Sequence, residues 1–121
     1  MTTLASLNTF DDAAFVAALN GIYEHSPWIA ERAAARRPFA TLAALKLALQ
    51  RVVDEAGEDE RLALLRAHPE LAGKAAIRGE LTPESTGEQA ASGLNLCSPE
   101  EYAQLQALNA QYNAKFGFPF I

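Results

Sequence analysis

Two short stretches hold the side chains best suited to moving a proton, His68-Pro69-Glu70-Leu71 and Ser85-Thr86-Gly87-Glu88-Gln89. Imidazoles titrate near neutrality, so a histidine can take and return a proton at cellular pH, and a nearby carboxylate can fix its tautomer and sustain its charge. Each stretch also has a plainer explanation. A histidine just before a proline sits at a helix end, where the ring can be a surface or capping group. Ser85 followed three residues later by Glu88 has the spacing of a capping box, which would leave Gln89 an ordinary exposed residue. Glu24-His25-Ser26-Pro27-Trp28 is equally open, with Ser26 as a cap, Trp28 packed and His25 solvated beside Glu24.

Other chemistries find no support. The chain has no G-x-S-x-G and no G-x-x-x-x-G-K-[ST], and Cys97 lies between Leu96 and Ser98 with no histidine near it in sequence. His25 and His68 are the two histidines, and neither belongs to a metal-ligand spacing such as H-E-x-x-H. Neither a metal nor an organic cofactor is expected.

The elements that must carry these residues read as helices. Phe15, Ala18, Leu19 and Ile22 have helical spacing over about Asp11 to Asn20, with Thr9 and Asp12 placed for a capping box and Gly21 at the end. Ser26 and Pro27 open a second helix that runs to about Arg36, before Pro38. A third follows Thr41, with Leu42, Leu45, Leu49, Val52 and Val53 on one face, and stops at Gly57. The fourth is acidic at its start (Glu58, Asp59, Glu60), carries Leu62, Leu64 and Leu65, and ends near His68 because of Pro69. Gly73 to Pro83 reads as a loop, and Ser85 opens a short helix to about Gly93. Ser98-Pro99-Glu100-Glu101 opens the last, with Tyr102, Leu105, Leu108 and Tyr112 in register and Gly117 at its end. These are six helices with no strand, repeat or linker, an all-α bundle in a single domain.

The composition agrees with that class and narrows the partners. Alanine fills 25 of 121 positions against 7 glycines and 6 prolines, which favours helix over a β-sandwich or disorder. With 10 basic and 15 acidic residues the net charge is −5, which repels phosphate backbones, so nucleic acid is not an expected partner. Arg32, Arg36 and Arg37, interleaved with alanines, read as the wet side of a helix. One cysteine suits a reducing compartment, and the alanine richness suggests a high-GC bacterium, hence a cytoplasmic protein. No run approaches the ~20 apolar residues that span a bilayer, and the N-terminus lacks a signal-peptide pattern.

The segments decide more together than apart. Glu24-His25-Ser26-Pro27-Trp28, Arg37-Pro38-Phe39, Ala67-His68-Pro69-Glu70-Leu71-Ala72, Ser85-x-x-Glu88-Gln89, Ser92-Gly93-Leu94, Leu108-Asn109 and Phe116-Gly117-Phe118-Pro119-Phe120-Ile121 occur in that order. In this the sequence resembles the 2-oxo-4-hydroxy-4-carboxy-5-ureidoimidazoline (OHCU) decarboxylases, which close the path from urate to allantoin, over roughly Leu7 to Ile121. The resemblance implies an all-α, homodimeric enzyme without metal or organic cofactor. It implies His68 as the acid/base, Glu88 paired with His68 or with the substrate ring, and Pro69, Ser85, Thr86, Gly87 and Gln89 as substrate contacts. Phe120 and Ile121 would begin the segment whose backbone holds the ring. Members of that family continue past this last motif, and an arginine there helps to hold the substrate carboxylate, so the domain is expected to lack its C-terminal part.

The chemistry suits those residues. Loss of CO2 from a carbon beside a C=N or C=O leaves an electron pair that spreads into the ring, so no external electron sink is needed. What the protein must supply is positioning and a proton on one face, which gives one enantiomer of allantoin. Two alternatives stand beside this reading. One is a helical interaction module whose Leu45, Leu49 and Val52 face binds a partner, with the polar motifs as caps. The other is a different cofactor-free lyase or hydrolase of ureido compounds with the same site.

Overall fold

The computed structural model describes residues 1–71, 82–93 and 96–121. Over these the chain forms seven helices and no strand, which we number α1 (Leu4–Thr9), α2 (Asp12–Ala18), α3 (Pro27–Ala34), α4 (Leu42–Glu55), α5 (Glu58–Ala67), α6 (Pro83–Ala91) and α7 (Pro99–Phe116). The all-α expectation holds, with one helix more than the sequence pattern gives. The loop expected from Gly73 lies outside the described residues up to position 81, as do Ala72 and Leu94 of the motifs above.

The chain divides into two compact units, Met1–Arg61 and Leu62–Ile121. In the first, α3 packs on both α2 and α4. Its core is Leu7, Phe15, Leu19, Ile29, Phe39, Leu45, Leu49 and Val52 with alanines of α3 and α4 between them. Leu45, Leu49 and Val52 face inward as the spacing predicts, whereas Leu42, in the first turn, is exposed. The extra helix, α1, has too few turns to show an apolar period, and its start signal is a pair of hydroxyls. Thr3 Oγ1 accepts from the Ser6 N–H at 3.1 Å and Ser6 Oγ accepts from the Thr3 N–H at 2.9 Å.

Three further expectations are corrected in this unit. Asp11, not Thr9, caps α2, its carboxylate accepting from the Ala14 N–H at 2.7 Å. Ser26 precedes α3 without capping it, because its hydroxyl donates to the Glu24 carbonyl at 2.9 Å. Arg37 does not belong to a wet helix face. It follows α3, donates to the carbonyls of Ala34, Leu7 and Phe10 and to the Asp12 carboxylate, and lies 4.7 Å over the Phe15 ring. Arg32 and Arg36 do face solvent, paired with Glu60 and Glu55.

In the second unit α7 is the long element. Ser98 and Glu101 form the predicted capping box, and Gly117 ends the helix in the left-handed conformation at φ 75°. Its inward line passes through Tyr102, Leu105, Asn109 and Tyr112, since at about 3.6 residues per turn the position after Leu105 falls between 108 and 109. Leu108, expected inside, is 54% exposed. The start of α6 also moves. Thr82 is the cap, Pro83 is the first helical residue, and Ser85 is the third, its N–H donating to Thr82 Oγ1 at 3.3 Å.

Candidate active site

The end of α5 sets the position of His68. The His68 N–H still reaches the Leu65 carbonyl at 3.3 Å, but Pro69 offers no N–H and turns the chain out of the helix. The ring then folds back on its neighbour, with Nδ1 3.0 Å from the Pro69 carbonyl oxygen. A carbonyl only accepts, so this contact puts the proton on Nδ1 and leaves Nε2 of the neutral ring with its lone pair. Nε2 lies 3.8 Å from Glu88 Oε2, too far for a hydrogen bond and close enough for an ion pair once the ring is protonated. The two side chains are 27% and 68% exposed, so the space they share is open to solvent.

Glu88 is the sixth residue of α6, well past the cap, so the capping-box explanation for Ser85 and Glu88 falls away. Ser85 and Gln89 lie four apart on one face of that helix. Ser85 is 1% exposed, so its hydroxyl is internal, while Gln89 Nε2 donates to the Glu70 carbonyl at 2.9 Å. Thr86 turns its hydroxyl onto the Thr82 carbonyl at 2.9 Å. Gly87 has open space where a Cβ would stand.

The segment behind His68 is held from α7 as well. Asn109 Nδ2 donates to the Leu71 carbonyl at 3.1 Å, and Asn113 Nδ2 donates to Glu70 Oε1. Glu70 and Asn109 occur in sequence motifs above without a role, and nothing in the sequence singles out Asn113. The one available signal was an asparagine beside an apolar stripe. The last residues gather on Tyr112, whose ring centroid is 4.5 Å from Phe116, 5.9 Å from Phe118 and 5.3 Å from Phe120. Arg66 Nε fixes the preceding turn by donating to the Gly117 carbonyl at 2.9 Å. Phe120 and Ile121 remain half exposed. His68, Pro69, Glu88 and Gln89 are thus brought together, while Phe120 joins the aromatic cluster at the end of α7 and Ile121 follows it, exposed.

His25 belongs to the first unit. Its Nε2 is 3.6 Å from the buried Glu24 carboxylate, and the ring itself is exposed. Among the described residues no group of three or more His, Cys, Asp or Glu gathers at ligating range, and no helix is long and apolar enough to cross a membrane.

A sequence profile described as OHCU decarboxylase matches residues 8–121 of this chain. The chain belongs to the OHCU decarboxylase family. Among members, it is 45% identical over 119 residues to the 2-oxo-4-hydroxy-4-carboxy-5-ureidoimidazoline decarboxylase of Haloferax volcanii, covering 98% of this chain and 68% of that one. With the protein of the same name in Halalkalicoccus jeotgali it shares 43% identity over 119 residues, 98% of this chain and 65% of the relative. The Uric acid degradation bifunctional protein PucL of Bacillus subtilis is 38% identical over 121 residues, which are 24% of its length. A crystal structure of (S)-allantoin synthase superposes with a TM-score of 0.69 at 28% identity, over all of this chain and 37% of that one. Against the two OHCU decarboxylases, then, this chain spans about two thirds of the family member's length.

Proposed function

We propose that this protein decarboxylates OHCU to (S)-allantoin without a cofactor, in the degradation of urate, with His68 as general acid/base. The observation that carries the assignment of roles is the pairing of His68 and Glu88, with Nδ1 engaged by Pro69 and Nε2 facing the carboxylate. The C–CO2 bond of the substrate breaks, and its electron pair enters the adjacent C=N of the ring. His68 Nε2 accepts the proton of the 4-hydroxyl as that carbon becomes a carbonyl, and returns a proton to the neighbouring ring carbon from one face. While Nε2 carries that proton, the Glu88 carboxylate offsets its charge. The second proton, needed on the ring nitrogen, comes from solvent. Gln89, Ser85, Thr86, Gly87 and the backbone at Pro69, with Phe120 and Ile121, supply the substrate contacts that the family resemblance implies. The same resemblance supports a homodimer with one helical domain, and the single cysteine and alanine-rich composition support a cytoplasmic protein.

The test is direct. Freshly generated OHCU, made by urate oxidation and hydrolysis, is added to the protein, and the circular dichroism of allantoin is followed. Rapid growth of one enantiomer is expected. Allantoin that forms at the uncatalysed rate, or as a racemate, sinks the assignment.

A further inference from the structure

Asn109 is the buried residue of α7, at 4% exposure, and it is polar. Burying an amide costs free energy unless it is hydrogen-bonded, so an apolar side chain would serve packing better at this position. The bond it makes is to the Leu71 carbonyl. One turn further on, on the same face, Asn113 Nδ2 donates to Glu70 Oε1 and lies 3.3 Å from the Asn109 carbonyl, which it also engages. Two amides of one rigid helix therefore grip consecutive residues of the segment that follows His68. Gln89 holds the same segment from α6 through the Glu70 carbonyl.

What this grip controls is the direction of the Pro69 carbonyl. Pro69 O and the Glu70 N–H share one peptide plane, so fixing Glu70 and Leu71 fixes the group that receives the His68 Nδ1 proton. A histidine ring free in water favours the proton on Nε2. The opposite tautomer, which leaves Nε2 open as a base, has to be imposed by an acceptor held in place. We infer that Asn109 and Asn113 are positioning residues for proton transfer, keeping His68 in its Nδ1–H form with Nε2 toward Glu88. This rests on the role proposed for His68 above, but it makes a claim about the ring that is readable without substrate.

The experiment uses the full-length protein with 15N-labelled histidine, whose two rings, His25 and His68, give separate signals. The wild-type ring of His68 is expected to show the Nδ1–H form. Asn109→Asp and Asn113→Asp keep size and remove the donor. In each, the neutral ring should move toward the Nε2–H form, and kcat should fall about tenfold or more with KM changed by less than about twofold, as expected when a reacting group is misplaced rather than substrate binding lost. Asn113→Ala, at a half-buried position, carries both readouts should Asn109→Asp not fold. His68 signals that stay unmoved in folded variants overturn the inference, whether or not the melting temperature drops, because packing residues would behave that way. Absence of stereospecific turnover in the wild type sinks the proposed reaction instead, and the tautomer shift still decides the positioning role.

Discussion

Glu88 gives the sharpest test at the scale of single side chains, because Thr82 and not Ser85 caps α6. Glu88→Gln keeps the shape and cannot disturb the cap, so it removes only the charge that faces Nε2. Turnover should fall by at least about tenfold, or ~1.4 kcal/mol of barrier, with the melting temperature nearly unchanged. A variant with wild-type turnover would leave this carboxylate without a part in the reaction. His68→Asn should cost more, ~10²- to 10⁴-fold, and should leave the far-ultraviolet circular dichroism intact, since the ring contributes little to any core. The place of His68 was legible in the sequence, from Pro69 alone. Its tautomer was not, because that depends on a carbonyl whose direction is fixed by residues 19 to 43 positions from their partners in the chain. No spacing rule reaches so far.

Among the elements, the longer amphipathic helices and the box at Ser98 were readable because period and caps agree there. Where a hydroxyl could cap from two places, as at Thr82 and Ser85, local pattern could not choose, and Pro83 decided by taking the first helical position. Gly87 tests what α6 is for. A glycine inside a helix costs roughly 0.5–1 kcal/mol relative to alanine, and nothing stands where its Cβ would go. Gly87→Ala should therefore raise stability by about that amount in urea titration. If substrate lies against this turn, the same variant loses turnover, and a variant both more stable and fully active would move the substrate away from Gly87. In the first unit the Arg32 guanidinium, hydrogen-bonded to Glu60, holds that carboxyl below its usual range. The pair adds stability at pH values above the ordinary glutamate range, and the contribution is lost as pH falls through the lowered value. Both groups are exposed, so the effect on stability is small. It is better seen in the Glu60 carboxyl resonance, whose titration midpoint should rise in Arg32→Ala.

Across the whole chain, burial is unevenly shared. Among the described residues every buried apolar side chain except Pro119 lies between Leu7 and Ala56, and the other buried residues of the second unit are Ser85 and Asn109, both polar. The first unit is held by the area it removes from water; the residues around His68 are held by hydrogen bonds worth ~0.5–1.5 kcal/mol each. Local opening follows that difference, since segments with few buried apolar contacts unfold at lower free energy than the core. Mild chaotrope should accordingly silence the enzyme first: in a urea series the midpoint for loss of allantoin formation should fall below the midpoint for loss of helical signal, with Trp28 fluorescence following the later event. Coincident midpoints would mean that the amide ties are as durable as the core. A catalyst arranged in this way meets its working limit at inactivation, well before denaturation.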